Sequence, residues 1–378
     1  MAHNIENSKN TLTALMMKVQ DQAARSADFL TPTNDLQKTT TLDGKPQIVI
    51  EANRGVPTKR FDINDTAFGQ IATHAGIDTR TARRLQSNYP REFDTLTNAI
   101  WQKEPARRML RTHLDTRYGV ETDGTARAFV SDKFKTFDNV NLLEACLPQL
   151  IDNPAQFQVV SADVSEKRMY LRLKSLEQLG TGANVGDHMA NGIGFGNSEV
   201  GAGSVTVYQI AWTLACLNGM QTQNKTRSSH ITSARDSDDW GLLSDDAKNA
   251  DNRALELKLR DLVGHYSSRE TFDDICQQMR DAAADVIEGV ATDVTDVVNN
   301  LGRVMQLTKK ENSDVLNGLM ATIGQAGYEN SRPLSRATLV NAVTAVSHRA
   351  DIDDVDTWQQ RGGQLLNMSA RDWQRVAA

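Results

Sequence analysis

The residues best suited to chemistry lie between Arg127 and Arg227. In an extended strand alternate side chains share a face, so Arg168, Tyr170, Arg172 and Lys174 fall together, opposite Met169, Leu171 and Leu173. Three cations and a ring on one strand face suit a phosphate backbone with a base stacked on the aromatic. The same pattern also fits a solvated sheet face with cations spaced along it. Upstream, RAFVSDKFKTFDN supplies Arg127, Lys133 and Lys135, with Phe134 and Phe137 interleaved as stacking candidates or as core, and Arg107, Arg108 and Arg111 precede it. Downstream, the polar run QTQNKTRSSHITSARD carries Lys225 and Arg227, as a basic loop that wraps a strand or as a plain connector. The expected nucleic-acid-binding set is therefore Arg127, Lys133, Lys135, Arg168, Tyr170, Arg172, Lys174, Lys225 and Arg227.

Other constellations fall short of a chemical site. The run from Gly192 to Gly203 has no Gly-Lys-Ser/Thr, so it is not a Walker loop. A strand follows it where a dinucleotide fingerprint needs a helix. Its glycines read as positive φ or as close backbone approach. Glu199, beside Asn197 and Ser198, is one carboxylate, too few for a cation site. His230 with Ser228 or Asp236 has no glycine-framed nucleophile elbow. Cys146, Cys216 and Cys276 lie far apart and form no CxxC pair, which leaves reduced thiols. No metal, no cofactor and no enzymatic activity is expected.

The chain has 378 residues and a formal net charge of −6. The stretch from about 236 to 300 is rich in Asp and Glu, which leaves the rest near neutral. Acidic helices there suit a solvated face, a subunit contact or a surface for a host protein. The N-terminal residues have no apolar core of a signal peptide, and no run is long enough to span a bilayer. A cytoplasmic location away from the membrane is the expectation.

Periodicity places these residues on elements. Residues 8–28 have helical spacing, with Leu12, Leu15, Met16 and Val19 on one side, and Gln47–Glu51 reads as a strand. Residues 62–90 read as helix–turn–helix: Asp62 or Asn64 caps the first helix, Gly76 turns, Asp78 or Thr79 caps the second, and Arg80, Arg83 and Arg84 face outward. That unit fits duplex DNA recognition and also fits plain helix packing. Strands at Leu110–Tyr118 and Arg127–Ser131, a helix over Asp138–Leu150, a hairpin turning at Ser165-Glu166 and a strand over Ser204–Leu214 follow. From Leu242 the pattern is helical. The predicted fold is α+β: a central mixed or antiparallel sheet with a packed helix, a helical N-terminal region (1–110), an α+β core (111–235) and an acidic helical C-terminal region (236–378).

The blocks RAFVSDKFKTFDN (127–139), NSEVG (197–201), ACLNGM (215–220), NAVTAVSHR (341–349) and the Gly362-Gly363 pair resemble the phage/plasmid-like protein family built on a domain of unknown function, the DUF nine-three-two group. The resemblance covers most of the chain and implies a mobile-element setting without a chemistry. At the level of architecture, hairpins packed on one helix with a basic groove are similar to single-strand annealing proteins of the RecT, Red-beta, Erf and Sak type. Those form rings or filaments on ssDNA without nucleotide hydrolysis. The resulting expectation is an oligomeric ssDNA-binding or annealing protein that meets a host recombination or replication protein. The alternatives are a duplex-reading regulator acting through residues 62–90 and a host-protein binder or inhibitor acting through the acidic helices.

Overall fold

Leu12, Leu15, Met16 and Val19 recur at helical spacing and line one side of α1 (Ala2–Arg25), with Leu15 and Val19 buried. The structure, a computed structural model, describes residues 2–51, 58–115, 123–151, 153, 156–182, 188–213, 218–228, 243–287, 294–323 and 334–378. After α1 come four strands: β1 (Ser26–Pro32), β2 (Leu36–Thr40), β3 (Pro46–Ile50) and β4 (Lys59–Ile63). Of these the sequence pattern points only to β3. Short polar segments such as β1 and β2 become strands through the neighbours they pair with, not through intrinsic preference.

The two-helix unit forms as its caps predict. Asn64 Oδ1 accepts the Ala67 N–H at 2.9 Å to start α2 (Asp65–His74), and Asp78 Oδ1 accepts the Thr81 N–H at 2.9 Å to start α3 (Thr79–Asn88). Gly76 takes φ 72° in the turn between them. Pro90 opens α4 (Pro90–Lys103), and β5 (Arg107–Leu114) and β6 (Asp123–Ser131) follow. The six strands form one mixed sheet in the order β1-β5-β6-β4-β3-β2, parallel only between β4 and β6. Phe61, Phe68, Phe93, Trp101 and Phe129 make the core between this sheet and α2–α4. The strands from β1 to β6 thus belong to one sheet, which runs across position 110, with α2–α4 packed on it.

Helix α5 (Asn139–Ile151) leads into an antiparallel meander of β7 (Phe157–Val164), β8 (Met169–Thr181), β9 (His188–Asn197), β10 (Val205–Thr213) and β11 (Asn218–Ser228). The β7–β8 hairpin turns at Ser165-Glu166 as its sequence predicts, pairing Val164 with Met169. One face of this sheet packs Leu171, Leu173, Ile193, Phe195 and Val207 against α1, α5 and α6 (Asp245–Tyr266). The other face is roofed by α11 (Ile352–Leu366), whose Asp356 meets Arg172, Tyr208 and Gln221; the remaining C-terminal helices are α7 (Arg269–Ala284), which reaches Gln209 on the first face, α8 (Val294–Val304), α9 (Lys309–Ile323), α10 (Arg336–Ala345) and α12 (Ala370–Ala377). The molecule is α+β, and its described residues form two sheets and a helical C-terminal region.

The glycine run belongs to this roofed face. Gly192, Gly194 and Gly196 alternate along β9, and Gly194 pairs with Tyr208 on one side and with Arg172 on the other. A Cβ at Gly194 would overlap the Tyr208 ring, and one at Gly192 would overlap the Trp212 indole, whose Nε1 crosses β9 to donate to Leu173 O at 3.0 Å. These glycines provide close approach for two rings, not a phosphate loop. Gly194→Ala is expected to destabilise by about 1–3 kcal/mol through overpacking. Gly264→Ala, on exposed helix with nothing near its Cβ, should stabilise by about 0.5–1 kcal/mol. Urea titrations of both variants check the pair, and an unchanged Gly194→Ala midpoint would contradict the ring-over-glycine packing.

Candidate functional site

The nine expected residues do not share one surface. Arg172 and Tyr170 are both 1% exposed, so β8 has no solvated cationic face. Arg172 Nη2 donates to Asp356 Oδ1 at 2.7 Å and its guanidinium stacks over the Tyr170 ring at 5.0 Å. The reason is α11, which brings Asp356 over the face that alternation alone leaves open. Arg127 is also buried, paired with Glu199 and donating to Ser26 Oγ at 3.1 Å. Phe134 and Phe137 are buried core residues. As direct strand-face contacts Tyr170 and Arg172 are therefore corrected, and Arg127 becomes part of a buried pair. Lys133, Lys135 and Lys174 are half-buried, and Lys135 pairs with Asp251 of α6 at 3.0 Å. Lys225 and Arg227 sit on β11, in register with Tyr208 and Thr206, so the chain there is strand and not a loop; their side chains, like His230, Asp236 and Cys216, lie outside the described residues. Of the arginines preceding the set, Arg111 is buried between Asp28 and Asp138.

Asp356 organises a closed network. Its Oδ1 accepts from Arg172 Nη2, from Tyr208 Oη at 2.8 Å and from Gln221 Nε2 at 2.8 Å. Burial, and then the Asp356 charge, push the Tyr208 phenol well above its ordinary pKa, so it stays a donor. With every member enclosed, this network ties α11 to the sheet and offers nothing to a substrate.

A different group of residues does converge on open space. A cleft of about 340 Å³ lies where α1, the mixed sheet, the start of α5, the β7–β8 turn and the segment after β9 meet. Helix α1 contributes Lys18, Gln22 and Arg25; the sheet contributes His113, Thr125 and Arg127; the hairpin turn contributes Glu166, Lys167 and Arg168. Five cations thus face two carboxylates, Glu166 and Glu199. Glu199 is already neutralised: one oxygen pairs with Arg127, and Oε1 accepts the Asn139 N–H at the start of α5 at 2.6 Å. Lys18 Nζ holds Val164 O at 2.6 Å, and Arg25 pairs with Asp21 at 2.7 Å. Lys167 is exposed at the mouth. Arg168 lies flat on the chain at Gly203, where any Cβ would displace its guanidinium. The NSEVG segment therefore builds the cleft floor, with Gly201 at φ 77° turning the chain and Glu199 orienting Arg127.

His113 reports the field in this cleft. Burial first, and then Arg127, Arg25 and Arg111, lower its pKa from 6.5 to about 4, against a small opposing effect of Asp21. The group stays neutral in the folded chain while an unfolded His protonates at 6.5, so it favours folding above that pH and opposes it as pH falls toward 4. A larger cavity of about 540 Å³ between α9 and α11 lacks this polarity, because Lys310, Arg349 and Arg361 face Glu311, Asp314, Asp351 and Asp354. Among the described residues no group of three or more His, Cys, Asp or Glu is placed to hold a metal, and no helix is long and apolar enough to cross a membrane. Burial raises the Cys146 thiol to about 12 and the Cys276 thiol to about 11, so neither is a nucleophile at neutral pH.

The sequence reading placed Arg127 and Arg168 among the ligands but missed Lys18, Arg25, His113 and Lys167 as their neighbours. The signal within reach was Glu199 in a glycine-rich turn, a carboxylate that needs a partner once buried. No family model, curated protein or solved structure matches the chain.

Proposed function

We propose that the chain is a nucleic-acid-binding protein of a mobile element that holds a phosphate of single-stranded DNA in the cleft between α1, the mixed sheet and the β7–β8 turn. The observation that carries this reading is the convergence of five cations on one concave site: Arg127, Lys18 and Arg25 pair with Glu199, Asp163 and Asp21, and Lys167 and Arg168 at the mouth outnumber Glu166. At about 340 Å³ the cleft matches a single nucleotide or smaller group, at the low end of the ~300–1,000 Å³ of ligand pockets, and is too small for a duplex. The resemblance to phage/plasmid-like proteins supplies the genetic setting, and the likeness to annealing proteins makes an ATP-independent oligomer on ssDNA the specific form of the proposal.

Fluorescence anisotropy with labelled ssDNA and a matched duplex, titrated across salt and run beside light scattering, tests it. Wild-type binding should favour ssDNA and fall steeply with salt. The Lys167→Ala, Arg168→Ala double variant should lower the log–log salt slope by about 1.4, at ~0.7 per lost cation on a single strand. Unchanged affinity and slope would remove the cleft from the reading.

A second reading has one observation in its favour. Arg80 and Arg84 are exposed on α3, the second helix of the two-helix unit. Duplex preference abolished by Arg80→Ala or Arg84→Ala, with the cleft variants silent, would transfer the function there. Absence of binding to either nucleic acid at low salt would leave a protein partner, met through the acidic helices.

A further inference from the structure

We propose that the cleft is a phosphate-monoester site, made for a terminal phosphate and not for an internal diester. The inference rests on the nucleic-acid reading only for the source of that phosphate, a strand end or a small phosphorylated compound. Its first ground is shape. Five separate segments wall the cleft, and α1 closes it on the side of the β7–β8 turn, where Lys18 Nζ donates to Val164 O at 2.6 Å. A strand passing through needs two open ends, whereas a chain end needs one. The second ground is charge. An internal diester carries one negative charge, while a monoester carries about −1.5 to −2 near neutral pH and presents three acceptor oxygens. Lys18 and Arg25 on α1 are paired with Asp163 and Asp21, so the charge offered to a ligand is that of Lys167 and Arg168 at the mouth, two cations for a group of nearly two negative charges.

The third ground is an unmet need in the floor. Arg127 is 6% exposed, and its Nε has no hydrogen-bond partner; His113 Nε2 on the neighbouring strand has none either. Orphaned buried polar atoms are costly, and both of these belong to residues lining the same cleft. Neither atom touches solvent in the ligand-free chain, so a bound oxyanion first meets Lys167 and Arg168 and then draws the floor side chains by a small rotation. A bound phosphate, a monoanion where His113 titrates and more highly charged near neutrality, also opposes the positive field of Arg127, Arg25 and Arg111 around His113, so binding and protonation of His113 reinforce each other.

The test uses the full chain and four probes: a short oligothymidine with a 5′-phosphate, with a 3′-phosphate or with hydroxyl ends, and inorganic phosphate. Anisotropy reads strand binding, and NMR of the histidine ring reads the His113 titration. A phosphorylated end should bind about tenfold tighter than hydroxyl ends, the increment of one charge-assisted contact. Inorganic phosphate should compete and should raise the His113 midpoint from about 4. The Lys167→Ala variant, altered only at the exposed mouth, should keep its thermal midpoint and lose much of the end preference. Equal binding of all strands with a silent His113 overturns this inference and leaves the nucleic-acid reading standing. Inorganic phosphate that binds and moves His113 while no strand binds supports the monoester site and overturns the nucleic-acid reading. Silence with every probe overturns both.

Discussion

Asp356→Ala is expected to lower the stability of the chain by about 3–5 kcal/mol, the loss typical of removing one partner from a buried ion pair. Asp356 is 5% exposed and Arg172 is 1% exposed, so water cannot replace the carboxylate. Three donors lose an acceptor at once, Arg172 Nη2, Tyr208 Oη and Gln221 Nε2, the last keeping Gln359 Oε1 at 3.3 Å. The charge on Arg172 is the largest part, because the network around it already leaves Arg172 Nε and Gln221 Oε1 without partners. Urea unfolding should show a lower midpoint at an unchanged slope, since the buried surface is the same. Asp356→Asn, which keeps an acceptor oxygen, should lose less than Asp356→Ala. Adding Arg172→Met to Asp356→Leu should recover much of the loss, because a buried pair is often replaceable by apolar side chains. If Asp356→Ala unfolds like wild type, α11 is not held to the sheet through this carboxylate.

That contact also marks where sequence reading stops. The Asn64 and Asp78 caps, the Gly76 turn, the Ser165-Glu166 hairpin and the helices after residue 243 are local, and their spacing states them directly. Alternation along Met169–Lys174 correctly separates two faces, and the Leu171 and Leu173 face is core. It says nothing about whether the second face meets water, and here the cover comes from a residue 184 positions away. The period-two glycines of β9 were the available sign, since small residues at every second position leave room for large ones above. The cleft was less legible still. Lys18, His113, Arg127, Lys167 and Glu199 come from five separate segments, and only the packing of α1 and the β7–β8 turn against the mixed sheet brings them together.

Glu199→Gln is expected to move stability and ligand binding in opposite directions. Glu199 is 7% exposed and is the buried counter-charge of Arg127. The amide keeps an oxygen for the Asn139 N–H but turns an N–H toward the guanidinium, so a loss of about 3 kcal/mol is expected. The same substitution removes one of the two carboxylates lining the cleft. At an effective dielectric of about 20, a unit charge roughly 8 Å from a bound anion contributes about 2 kcal/mol, and screening by water reduces this to a fivefold to tenfold gain in affinity. Phosphate should then raise the thermal midpoint of Glu199→Gln more than that of wild type, because ligand at about 100 times Kd adds about 2.7 kcal/mol to the folded state. Differential scanning calorimetry with and without phosphate, beside a direct binding isotherm, measures both quantities. A variant that loses stability and affinity together would make Glu199 a support for the cleft and remove the argument that its cations are there to receive an anion. A variant that loses stability and gains affinity would show that the chain balances this buried charge between holding Arg127 in place and leaving the cleft attractive to a ligand.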